Sequence, residues 1–112
     1  MRQRQERKYR RFELECPVIL RYSAAHTPAE IEVVSQNVSI GGLLIKSASV
    51  IPEHTPVNFI ISVQADGAVQ PIYLTGEGQI VRVTKTQDNG MFVLAVECKT
   101  PIMRMEEYLP VA

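Results

Sequence analysis

The chain has 112 residues, 46% of them hydrophobic and 21% charged. That is the length and composition of one domain folding around one core, and it excludes disorder of the whole chain. Two cysteines, Cys16 and Cys98, are too few and too far apart for a paired-cysteine zinc site or a disulfide scaffold, so both are expected as reduced, buried thiols.

No apolar run approaches the roughly 20 residues that a membrane helix needs. The basic start leads into Glu13 and Glu15 instead of a signal-peptide core. A cytoplasmic protein with no membrane insertion is expected, and the Asn37-Val38-Ser39 sequon then has no glycosylation to accept. The formal net charge of zero is unevenly divided: the first eleven residues hold Arg2, Arg4, Arg7, Lys8, Arg10 and Arg11 against Glu6 alone, a local +5 that leaves −5 for the rest. A protein that tracks a nucleic-acid polymer spreads basic residues over a face, whereas this acidic body would repel one. A small anionic ligand or an anionic patch met by the N-terminal segment fits better. Taken by itself, the same run also reads as a solvated tail.

Arg7 and Arg11 would share one face of a helix, but the segment lacks apolar periodicity, so residues 1–12 are expected as an extended or looped basic arm and 13–112 as the folded domain. Beyond it the alternation is that of strands. Val18, Leu20 and Tyr22 form one half-buried set and Ile31 and Val33 a second, followed by a short strand over 43–46. The proline-bearing segment Ile51-Pro52-Glu53-His54-Thr55-Pro56 reads as a loop. Val57, Phe59, Ile61 and Val63 alternate again, and longer strands are expected over 72–84 and 91–97, with turns at Asp66-Gly67 and Asp88-Asn89-Gly90. Thr100 and Pro101 signal a helix start, with Ile102, Met105 and Leu109 at helical spacing. The pattern predicts an all-β fold, a small six-stranded antiparallel β-barrel with a short C-terminal helix and a basic N-terminal arm.

No set of residues carries catalysis. Asn37-Val38-Ser39-Ile40-Gly41 lacks the first glycine of a nucleophile elbow and the helix that should follow it. Gly76-Glu77-Gly78 lacks the third glycine of a dinucleotide loop. His26 and His54 stand in separate loops without a nearby cluster of cysteines or carboxylates, so neither an enzyme nor a metal site is expected.

Binding chemistry is concentrated in two places. Arg7 and Arg11 offer planar forks of donors that match phosphate oxygens or the O6 and N7 atoms of a guanine, and Arg10 between them adds a further cation. In Asn37-Val38-Ser39-Ile40-Gly41-Gly42, read as a polar turn, Asn37 and Ser39 supply an amide and a hydroxyl. Gly41 and Gly42 would free the backbone to turn and let a flat ligand come close.

These two motifs, in this order on this strand pattern, resemble the paired RxxxR and [D/N]xSxxG signature of PilZ domains, bacterial receptors for cyclic di-GMP. The resemblance extends over nearly the whole chain. It implies a cyclic di-GMP-binding protein with Arg7 and Arg11 as the principal ligand pair and Asn37, Ser39, Gly41, Gly42 and Arg10 around them. It also implies no cofactor besides the ligand and a downstream protein partner that responds to ordering of the arm. Asn37 stands where the family often has aspartate, which removes one negative charge beside a dianionic ligand. The other reading is a ligand-independent protein-interaction module built on the same barrel.

Overall fold

The computed structural model describes residues 11–12, 15–64, 67, 69–87 and 90–100, and of Arg11 and Phe12 the backbone alone. Among the described residues seven strands follow one another: β1 (Arg11–Phe12), β2 (Pro17–Ala24), β3 (Thr27–Ser39), β4 (Gly42–Ser47), β5 (Pro56–Val63), β6 (Ile72–Lys85) and β7 (Phe92–Cys98). All pairings are antiparallel. The hydrogen-bonded order β3-β2-β5-β6-β7-β4 returns to β3, so six strands close a barrel and β1 adds to the edge of β3. Closure removes the long unpaired edges that a six-stranded open sheet would expose.

The six expected strands are all present, five of them within a few residues of their expected bounds. β3 differs most. It runs 13 residues and carries Asn37 and Ser39 within the strand, confining the expected polar turn to Ile40 and Gly41. The expected C-terminal helix, with Pro101, Ile102, Met105 and Leu109, lies outside the described residues.

The core is the barrel interior. Val18 and Leu20 from β2, Leu43 and Ile45 from β4, Phe59 and Ile61 from β5, Ile80 from β6 and Leu94 and Val96 from β7 are all buried, as period-2 alternation requires. Ile51, from the proline-bearing loop, is fully buried with them. That loop is stitched to β6: the His54 amide donates to the Ile80 carbonyl at 2.6 Å and the Ile80 amide to the Thr55 carbonyl at 3.0 Å. The Thr55 hydroxyl donates to the Pro52 carbonyl at 2.7 Å. Gly76 sits opposite Phe59 in the β5–β6 ladder, and a Cβ there would meet the Phe59 ring at 2.5 Å, so the buried ring occupies the space a side chain would fill.

Two bulges set which side chains face outward. In β3, Ser35 pairs with Ile45 and Asn37 with Leu44, leaving Gln36 as the extra residue. In β6, Ile80 pairs with Val96 and Arg82 with Ala95, leaving Val81 extra. Each insertion reverses the alternation, because one added residue exchanges inner and outer faces. Val33 and Ser35 are buried before the first bulge, and Val38 is buried after it.

The β2–β3 hairpin turns through Ala25 and His26, whose φ angles are 52° and 67°. Two successive positive φ values suit a two-residue hairpin loop, but they favour Asn-Gly over Ala-His, because Cβ crowds the carbonyl in this region. Replacing Ala25-His26 by Asn-Gly is therefore expected to stabilise the domain by about 1–2 kcal/mol. Thermal unfolding checks this: the midpoint should rise by several degrees, and an unchanged or lowered midpoint contradicts the turn geometry.

Candidate functional site

The site begins with a buried serine. The Cys16 amide donates to the Ser35 hydroxyl and the Ser35 amide to the Cys16 carbonyl, both at 2.9 Å, so the chain entering β2 is pinned to β3 beside the bulge. Past the bulge, the reversed alternation turns Asn37 and Ser39 to the outer face on either side of buried Val38. Without Gln36 in excess, the parity of Val33 and Ser35 would carry both polar residues into the core.

β1 then supplies the last residue of the other motif. Arg11 stands opposite Ser39 and Phe12 opposite Val38, so the last arginine of the RxxxR motif enters the sheet at the register position facing the serine of the second motif. Arg7 and Arg10 lie outside the described residues.

The turn at Ile40 and Gly41 is held from two sides. The Ser39 hydroxyl donates to the Gly42 carbonyl at 3.2 Å, and the Cys98 amide at the end of β7 donates to the Gly41 carbonyl at 2.9 Å. Neither Gly41 nor Gly42 has a positive φ. At Gly42 the requirement is space, and the group that uses it belongs to this chain: a Cβ would collide with the Val96 carbonyl oxygen of β7. The glycine expected to admit a ligand thus admits a neighbouring strand, which fixes the turn against β7.

Across the outer face the register lines up two rows. One runs Ser39, Gly42, Glu97, Gln79 and the other Asn37, Leu44, Ala95, Arg82. The middle of this face is made by Gly42 and partly exposed Leu44 on β4 and by Ala95 and exposed Glu97 on β7, between Ser39 and Asn37 on β3 and exposed Gln79 and Arg82 on β6. Strands lie about 4.8 Å apart, so each row spans about 14 Å, the scale of a small nucleotide. Sequence reading singled out Asn37, Ser39, Gly41 and Gly42 but gave Glu97, Gln79 and Arg82 no role in the site. Alternation within a strand cannot reveal cross-strand partners, and the bulge at Val81 carries no signal in composition.

A separate cleft of about 470 Å³ is lined by Arg21, Tyr22, Asn58, Glu77 and Lys99 among others, and shares none of the residues 37–42. There the Arg21 guanidinium is already engaged by Glu30 at 2.9 Å. Among the described residues no group of three or more His, Cys, Asp or Glu side chains is placed to hold a metal, and no helix is long and apolar enough to cross a membrane. His26 and His54 are exposed and both have positive φ.

The two thiols are free. Cys16 is buried as expected, and burial pushes its pKa up, partly offset by the hydrogen bond with Ser35. Cys98, expected buried, is only partly so, because it ends β7 beside the motif turn. Its pKa is pushed up to about 11 by loss of solvent and by the neighbouring Glu97 carboxylate.

Comparison with known proteins follows the fold. The family model for the PilZ domain matches residues 5–109. Among solved structures, the Bacillus subtilis inhibitor of motility (MotI/DgrA) superposes with a TM-score of 0.73 at 18% identity, covering 90% of this chain and 46% of that one. The K. pneumonia MrkH–c-di-GMP complex gives 0.59 at 12% identity, covering 85% and 45%. The PilZ domain of Escherichia coli YcgR with c-di-GMP gives 0.57 at 15% identity, covering 85% and 79%. The chain thus spans about half the length of the first two. No curated protein sequence matches it.

Because the Cys98 pKa is raised, the folded state keeps its proton over a range where the unfolded chain, titrating near 9.0, has lost it. Its contribution to stability is therefore intact below pH 9 and declines as pH rises from about 9 towards 11. Urea unfolding of wild type and Cys98→Ser at pH 8 and pH 10.5 isolates the effect: wild type should lose more stability between the two. Equal losses would show that the thiol titrates normally.

Proposed function

The chain belongs to the PilZ domain family, and we propose that it is a receptor for cyclic di-GMP, gripped between the arginine arm and the outer face that bears Asn37, Ser39 and the turn. One observation supports the reading: β1 pairs with the end of β3 so that the backbone of Arg11, the last arginine of one motif, stands opposite Ser39 of the other, 28 residues away in sequence. Two of the structural neighbours, MrkH and the YcgR PilZ domain, are cyclic di-GMP complexes, which supports the same ligand here.

The chemistry fits the parts. Arg7 and Arg11 supply guanidiniums that can bond phosphate or a guanine edge in a bidentate manner and stack on a base, with Arg10 adding charge. Asn37 offers a neutral amide and Ser39 a hydroxyl, while the ladder of β3, β4 and β7 holds the backbone around the turn rigid. Ligand closes the arm onto the barrel, and this ordering changes the surface presented to a protein partner. No bond in the ligand is made or broken and no cofactor takes part, so the protein acts as a cytoplasmic receptor and not as an enzyme.

Calorimetric titration at near-physiological salt tests the assignment. Cyclic di-GMP should bind saturably, Arg7→Ala and Arg11→Ala should each abolish measurable binding, and Ser39→Ala should weaken it about fivefold to tenfold. Saturable binding unchanged in both arginine variants contradicts the site. Absence of binding to wild type favours an interaction module that works without ligand.

A further inference from the structure

The outer face beside the motif turn holds a carboxylate that the proposed site has not yet used. Glu97 is the direct cross-strand partner of Gly42 and of Gln79, and alternation along β7 puts it on the same outer face, since Leu94 and Val96 are buried and Glu97 is exposed. Directly opposed residues in an antiparallel ladder have Cα atoms about 4.5–5.5 Å apart. The side-chain space at Gly42 is taken by the Val96 carbonyl oxygen of β7, so no side chain of β4 stands at that level between Glu97 and Ser39. Among the described residues the Glu97 side chain has no hydrogen-bond or ion-pair partner.

A free carboxylate is an unfavourable neighbour for a phosphodiester, yet it is an apt neighbour for a guanine. Guanine presents two adjacent donors on its Watson–Crick edge, the N1 and N2 hydrogens, and an ionised carboxylate is an acceptor with two oxygens to meet them. Adenine presents an acceptor at N1 and repels the same group. The other polar groups on this part of the face do not duplicate the match. The Ser39 hydroxyl donates to the Gly42 carbonyl, and Asn37 has a single side-chain oxygen.

We infer that Glu97 is the base-selecting residue of the site, reading guanine through its N1 and N2 hydrogens while the arginines and the amide of Asn37 hold the remainder of the ligand. The inference rests on the cyclic di-GMP reading and adds to it the group that excludes adenine. It also accounts for an acid beside a site for a dianion: one negative charge is tolerable where it meets the donors of the base and the phosphates lie away from it. Loss of a paired acceptor leaves donors unmet, which is the condition under which recognition sites discriminate most strongly.

The experiment titrates wild type, Glu97→Gln and Arg11→Ala with cyclic di-GMP, cyclic di-AMP and cyclic di-IMP, the last lacking the N2 amine. Wild type should bind cyclic di-GMP tightest, cyclic di-IMP more weakly and cyclic di-AMP least. Glu97→Gln should lose about tenfold to a hundredfold in affinity for cyclic di-GMP and narrow its preference over cyclic di-AMP. Its unfolding midpoint should match wild type, since the side chain is exposed. Cyclic di-GMP affinity unchanged or tighter in Glu97→Gln, with binding still lost in Arg11→Ala, overturns the inference and leaves the receptor reading standing. No saturable binding of cyclic di-GMP by wild type overturns both.

Discussion

Everything else in the structure depends on the register of β3, the strand through which the barrel closes. Its first half pairs with β2, its second half with β4, and its last two residues also accept β1. A strand shared in this way has to satisfy a core requirement and a surface requirement along one length. It does so by inserting Gln36 between Ser35 and Asn37, which keeps Val33, Ser35 and Val38 inside and releases Asn37 and Ser39 to the outside. The constraint is geometric, since an insertion of one residue is the smallest change that exchanges the faces of a strand.

Closure also decides what the motif residues do for the fold. Gly42 yields its side-chain space to the Val96 carbonyl, and the Gly41 carbonyl takes the Cys98 amide, so the turn is braced by β7 before any ligand arrives. Such bracing suits a binding face, because a rigid surface spends little of its interaction energy on its own ordering. The second bulge, at Val81, matches the first in effect: it turns Arg82 outward in the same row as Asn37. Two irregularities on strands that are not neighbours therefore shape one continuous outer face.

Much of this was legible in the sequence, and the reason differs by element. Strands such as β5, where Val57, Phe59, Ile61 and Val63 are buried in strict alternation, announce themselves through period 2. The loop before β5 was legible from its prolines, although the burial of Ile51 within it was not, because a single apolar residue in a loop carries no periodic signal. The turn at Ala25 and His26 was hidden for the opposite reason: tertiary pairing of β2 with β3 imposes positive φ on residues that do not prefer it. At the site, the motif residues could be read from their chemistry, whereas Glu97, Gln79 and Arg82 became visible only once the ladder placed them beside Gly42 and Ala95. Cys98 shows the same limit, since its partial exposure follows from its place at the end of β7 beside the turn.

The central claim is that the outer face over the β3–β4 turn and the end of β7 is where ligand sits. Amide chemical-shift mapping of the full chain during titration with cyclic di-GMP tests it most directly. The account predicts that the largest shifts fall on Asn37, Ser39, Gly41, Gly42, Glu97 and Cys98, together with Arg11. Shifts concentrated instead on the cleft at Arg21, Tyr22 and Asn58, with the turn unmoved, would contradict it.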